Sequence, residues 1–151
     1  MTGFRGRTFV AAAGAATLPF LAAAADLVAF TVAADKEIRE PLTGRPGDAQ
    51  EGRRIAADRA LGNCLACQAI PGVDDPPGDL GPDLKGVGAR LKAAEIRLRV
   101  VDAKIANPET AMPAYYRVDG LYGVRRDLVG KPILTAEQIE DVVAFLATLK
   151  D

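Results

Sequence analysis

Two stretches of the chain carry apolar residues at helical spacing behind a capping signal. Asp48-Ala49-Gln50-Glu51 has the form of a capping box, with a carboxylate placed to accept from the free first-turn amides. Behind it, Ala49, Gly52, Ile55 and Ala56 share one face, which predicts a helix ending near Arg59–Gly62. Glycine at position 52 costs helix stability relative to alanine, and is sensible there if another backbone must approach closely. Thr135-Ala136-Glu137-Gln138 is a second capping box. It opens a final helix with Ile139, Val142, Val143 and Leu146 at helical spacing and Phe145 flanking the same face.

Between these helices the pattern is sparser. Ala93–Ile105 has a helical period through Ile96, Val100, Val101 and Ile105, and Asn107-Pro108 ends it. Leu84–Val87 predicts a short helical turn within a Pro/Gly-rich loop. Residues 107–134 form a long irregular stretch containing Met112-Pro113, and residues 26–47 read as an extended N-terminal arm. No segment alternates as a strand would, and no repeat is present. The expectation is an all-α domain with long irregular loops over residues 48–151.

The N-terminus has the pattern of an export signal. Arg5 and Arg7 precede an uncharged stretch from Val10 to Ala25, and Ala23-Ala24-Ala25 offers small residues for cleavage before Asp26. A second possible cut follows Ala34. The stretch is short and Ala-rich for a membrane span and contains Pro19. A cleaved Sec-type signal over residues 1–25, a periplasmic mature chain and no remaining membrane anchor are therefore expected.

Composition narrows the function. At 151 residues and 49% hydrophobic the chain has the size and core of one domain. Lys+Arg 19 against Asp+Glu 20 leaves no basic excess for nucleic acid. Removing residues 1–25 leaves 17 basic against 20 acidic, a mildly acidic chain. With no histidine in the chain, the commonest general base is missing, and no paired-carboxylate, serine-nucleophile or phosphate-loop arrangement replaces it.

The two cysteines are Cys64 and Cys67, followed by Gln68. In an exported protein such a pair most simply forms a disulfide. A thioredoxin-type pair would open a helix inside a βαβ unit, whereas here a helix precedes it and no strands surround it. Zinc needs four ligands, and the chain offers two cysteines. Thioether attachment of haem fits the context: a capped helix before, a Pro/Gly loop after, and Met112 before a second capped helix. Met112 is the only methionine beyond Met1; its soft thioether suits haem iron, and core packing is the alternative. Tyr115 and Tyr116 are candidates for a propionate hydrogen bond or for packing. Arg90, Arg97, Arg99 and Arg117 read as solvated surface, with one or two available to propionates.

Gly47-Asp48-Ala49, Gly52-Arg53-Arg54, Gly62–Cys67, Gly81–Gly88, Leu98–Asp102, Asn107-Pro108, Met112-Pro113, Tyr116-Arg117 and Gln138–Leu146 together resemble the SoxX family. These are small monohaem c-type cytochrome subunits of bacterial SoxAX sulfur-oxidation complexes. The resemblance spans nearly all of the expected mature chain, including the Pro-Leu-Thr-Gly-Arg-Pro-Gly lead-in at residues 41–47. It implies a cytochrome c fold whose first and last helices cross near Gly52 and Phe145. It also implies one covalent haem c on Cys64 and Cys67, with Met112 as distal iron ligand. Its implied partners are a larger SoxA-like subunit and, transiently, a SoxYZ-like carrier. The chain would be a non-catalytic electron-transfer subunit within an L-cysteine S-thiosulfotransferase complex that acts on thiosulfate. The family's proximal histidine falls on Gln68, so that role does not carry over. Either haem is attached, with its iron held by Met112, water or a lysine, or the chain is a haem-free structural subunit of the same complex. A general monohaem electron carrier is the third reading.

Overall fold

The computed structural model describes residues 27–151; the expected signal over residues 1–25 lies outside them. Among the described residues four α-helices form in the order α1 (Ala49–Ala57), α2 (Val87–Arg90), α3 (Ala93–Ala106) and α4 (Ala136–Thr148), with short 3-10 turns at Cys64–Ala66 and Arg126–Leu128. No strand occurs among the described residues. The fold is all-α, as the pattern predicts.

The α1–α4 crossing is the centre of the scaffold. Gly52, Ile55 and Ala56 are buried on α1, and Ile139, Val142, Val143, Phe145 and Leu146 on α4. A Cβ at Gly52 would stand 1.8 Å from the carbonyl oxygen of Asp141 and 2.9 Å from the Phe145 Cβ. Only glycine lets the two backbones come this close, so the helix-weakening residue is explained by the crossing. The capping boxes differ. Thr135 and Gln138 reciprocate fully, with the Gln138 N–H donating to Thr135 Oγ1 at 3.3 Å and the Thr135 N–H to Gln138 Oε1 at 2.9 Å. Asp48 accepts from the Gln50 and Glu51 N–H groups, but its own N–H donates to Asp141 Oδ1 at 2.7 Å. Glu51 bonds Arg54 instead. Half of the first box is thus replaced by a tie to α4. α1 also ends at Ala57, a few residues short of the expected end, where Asp58 takes an extended conformation.

The N-terminal arm lies on this scaffold without helix or strand over residues 27–47. Its anchor is a buried ion pair. Arg97 of α3 meets Glu140 of α4 through two bonds of 2.8 and 2.9 Å, and both residues are within 5% of full burial. Arg97 also donates to the Ile38 carbonyl at 2.8 Å, and Glu140 accepts from the Leu42 N–H at 2.9 Å. Every arm of the pair is hydrogen-bonded, which a buried ion pair needs to offset its desolvation. Arg97 is therefore a core residue, contrary to its reading as surface: Ile96 and Leu98 bury both flanks of α3 and carry Arg97 inward.

α3 is bent. Asp102 leaves the helical region (φ −155°, ψ 94°). The carbonyls of Val100 and Val101 then accept from the N–H groups of Tyr115 and Tyr116 at 3.3 and 3.1 Å. The break also turns Ile105 partly out of the core that holds Ile96, Val100 and Val101. The expected turn at Leu84–Val87 is present, closed by the Val87 N–H to the Leu84 carbonyl at 3.1 Å, and it leads into α2.

Candidate functional site

A cleft of about 500 Å³ opens between the Cys64–Cys67 turn, the loop over residues 80–84, α2, α3 and the Met112 loop. It is floored by Ile96 and Val100 of α3 and by Val142 and Leu146 of α4. Cys64, Cys67, Gln68 and Met112, far apart in sequence, all line it. Its size and mostly apolar walls suit a planar organic cofactor.

The cysteine turn is set by backbone geometry. Asn63 adopts a left-handed conformation (φ 48°), and the Cys67 and Gln68 N–H groups both donate to the Cys64 carbonyl, at 3.1 and 3.0 Å. The next loop folds back onto it, with Gly78 N–H to Leu65 O at 2.9 Å and Gly81 N–H to Cys67 O at 2.8 Å. Gly81 is required by contact. A Cβ there would lie 2.7 Å from the Gln68 Cγ. Burial pushes the Cys64 thiol up to about 11, an effect that outweighs the lowering influence of the nearby Tyr115 hydroxyl. Such a thiol is a poor redox nucleophile at neutral pH, which works against the thioredoxin-type reading. Among the described residues no three His, Cys, Asp or Glu side chains gather to hold a metal ion, so the zinc reading lacks a ligand set.

Met112 is half-buried on a loop pinned from several sides. Its N–H donates to Thr110 Oγ1 at 3.2 Å, and the Thr110 carbonyl accepts from Lys104 Nζ at 2.8 Å. On its other side, Tyr115 and Tyr116 are paired to α3 as described, and the Leu134 N–H donates to the Tyr115 carbonyl at 3.1 Å. Asp102, almost fully buried, accepts from Arg117 at 2.9 Å and from the Lys104 N–H at 3.1 Å. Asp102 and Arg117 thus hold the Met112 segment against the bent α3, a role the sequence reading missed. The available signal was an acidic residue interrupting an apolar helical run, followed by an arginine just after the methionine loop.

The aromatic and basic candidates separate. Tyr115 lines the cleft, but its hydroxyl donates to the Gly62 carbonyl at 2.7 Å; burial, reinforced by Cys64, raises its pKa above the ordinary value. Tyr116 serves the arm instead. Its hydroxyl accepts from the Val28 N–H at 2.9 Å, and its ring lies 6.5 Å from that of Phe30. Arg90 and Arg99 line the cleft, whereas Arg97 and Arg117 are committed to Glu140 and Asp102.

A helical domain with crossing end helices and paired cysteines at an apolar cleft defines a class. Residues 49–150 match the cytochrome c family, and the chain belongs to it. Among solved structures the chain is similar to one described as SoxXA from P. pantotrophus. The two share 45% identity and a TM-score of 0.70, covering 76% of this chain and 90% of that one. This is a SoxX-like cytochrome. No curated protein sequence matches the chain.

Family membership implies a covalent haem c, and the residues fit that group in part. The apolar walls suit the macrocycle, and Cys64 and Cys67 supply the two thiols that attachment consumes. Met112 supplies a soft donor. The axial set departs: where a nitrogen base would stand next to Cys67, the chain presents the carboxamide of Gln68.

Proposed function

We propose that this chain is the electron-transfer subunit of a periplasmic thiosulfate-oxidising complex, paired with a larger SoxA-like cytochrome and working transiently with a SoxYZ-like carrier. The observation carrying this reading is the 45% identity to the SoxXA structure over 90% of that chain, joined to a cleft that gathers Cys64, Cys67 and Met112. Haem c, when bound, supplies a one-electron couple. The chain's own residues shape its cleft, provide the attachment thiols, place a thioether beside it and shield it with Ile96, Val100, Val142 and Leu146. The catalytic chemistry belongs to the partner.

Gln68 favours a second reading, a haem-free subunit that binds the same partner. Co-expression with a SoxA-like subunit and a haem-attachment system separates the two. The first reading expects co-purification, a Soret band and the mass of one covalent haem on this chain. Co-purification without haem mass selects the second reading, and a stable haem-bearing monomer selects a general carrier. Periplasmic export expects a mature N-terminus at Asp26 in the periplasmic fraction; an intact Met1 in the cytosol overturns it.

A further inference from the structure

We infer that the cleft of the haem-free chain is a binding site for an amphipathic anion, an apolar body ending in a single carboxylate, with Arg99 as its anchor. The inference rests on the haem-free reading above and names the ligand class of that same cleft. It starts from the mismatch at Gln68: the walls and thiols suit the family's cofactor, and the neutral carboxamide beside Cys67 does not complete its axial set. What the lining does offer is apolar surface and cationic charge. Leu84, Val87, Ile96, Val100, Val142 and Leu146 are buried side chains that line the cleft. Its volume of about 500 Å³ lies in the range of small-molecule pockets.

The charge in the cleft is unbalanced. Among the described residues three arginines are not exposed: Arg97, Arg99 and Arg117. Arg97 closes on Glu140 and Arg117 on Asp102. Arg99 meets no carboxylate among the described residues. Its Nη1 donates to the Glu95 carbonyl, one turn back on α3, at 2.9 Å, and its other N–H donors have no protein partner there. No buried side-chain polar atom lacks a partner, so these donors are open to solvent. Arg90, exposed where it lines the cleft, donates to the Lys85 and Asp83 carbonyls at 2.6 and 3.4 Å. Against these two guanidiniums stands one carboxylate, Asp83, whose Oδ1 accepts from the Lys85 N–H at 2.8 Å. Cys64 adds no negative charge at neutral pH, because burial pushes its thiol up to about 11. A guanidinium beside apolar walls and without a carboxylate of its own matches an external one: its parallel N–H groups bond both oxygens, and such bonds strengthen where water is excluded. A neutral ligand gains nothing from that charge, so Arg99 selects the anion.

The test uses the full chain co-expressed with a haem-attachment system, purified alone and with its partner subunit, and weighed by mass spectrometry. It is then titrated calorimetrically with octanoate and with octanol. Octanoate is expected to bind about 10-fold more tightly than octanol, a preference that shrinks as sodium chloride is raised. Arg99→Gln is expected to bring the two affinities within about 2-fold of each other while octanol binds as in wild type, which shows that the cleft is still folded. Arg99→Lys keeps the charge without the fork and should retain part of the preference. A haem-free chain that binds octanoate no better than octanol, or binds neither, overturns this inference alone. So does a preference for octanoate that survives Arg99→Gln. One covalent haem on the wild-type chain overturns it together with the haem-free reading.

Discussion

The α1–α4 crossing and the cysteine cleft are built on opposite rules. At the crossing, backbones touch and the buried charges have assigned partners: Gly52 admits Asp141, and Arg97 and Glu140 close on each other and on the arm. The cleft is walled by loops, held by backbone hydrogen bonds between Cys67, Gly81, Leu65 and Gly78, and its functional side chains are only half-buried. The crossing therefore tolerates little, while the cleft can change its chemistry without changing its frame. Gln68 sits in the tolerant region, where a change of side chain leaves the scaffold of the cytochrome c family in place.

The contrast can be broken at its strong end first. Glu140→Ala strands the Arg97 charge in the core and should cost about 3–5 kcal/mol, seen as a lower urea midpoint at unchanged slope. An unchanged midpoint would show that the crossing and arm do not depend on the pair. Gly52→Ala places a Cβ 1.8 Å from the Asp141 oxygen, so the helices must part. The overpacking should cost about 1–3 kcal/mol despite alanine's better helix propensity; stabilisation would mean the close approach is not maintained in solution.

Asp102→Ala probes the join between the two regions. It removes the acceptor of Arg117 and of the Lys104 N–H, with an expected loss of about 1–3 kcal/mol. Proteolysis should then concentrate in residues 107–117; uniform sensitivity would separate Asp102 from the Met112 loop. The smallest effect concerns the cleft itself. In the haem-free chain the folded state holds the Cys64 proton more tightly than the unfolded chain, raising its pKa from 9.0 to about 11. The associated stability is intact below pH 9 and falls as pH rises toward 11. Cys64→Ala should flatten that slope, and haem attachment should abolish it by consuming the thiol. An equal slope in all three forms would assign it to other groups.

The sequence by itself determined the end helices, because apolar spacing and short capping motifs are local signals. Thr135–Gln138 and the buried face of α4 appear where the pattern places them. A helix-weakening glycine on the apolar face of α1 was consistent with close packing, and the resemblance placed the crossing there. Cys64, Cys67 and Met112 were legible as candidates, being the only sulfur residues beyond Met1. Only the tertiary structure decided that they share one cleft, because the loops carrying them are held by backbone bonds between distant segments, which leave no periodicity to read. The same holds for Arg97, charged in sequence yet buried, and for Asp102, whose departure from helical geometry frees two carbonyls for the methionine loop. A local pattern records which face of a helix is apolar. It does not record which distant residue will neutralise a charge on that face, because that partner is supplied by the fold.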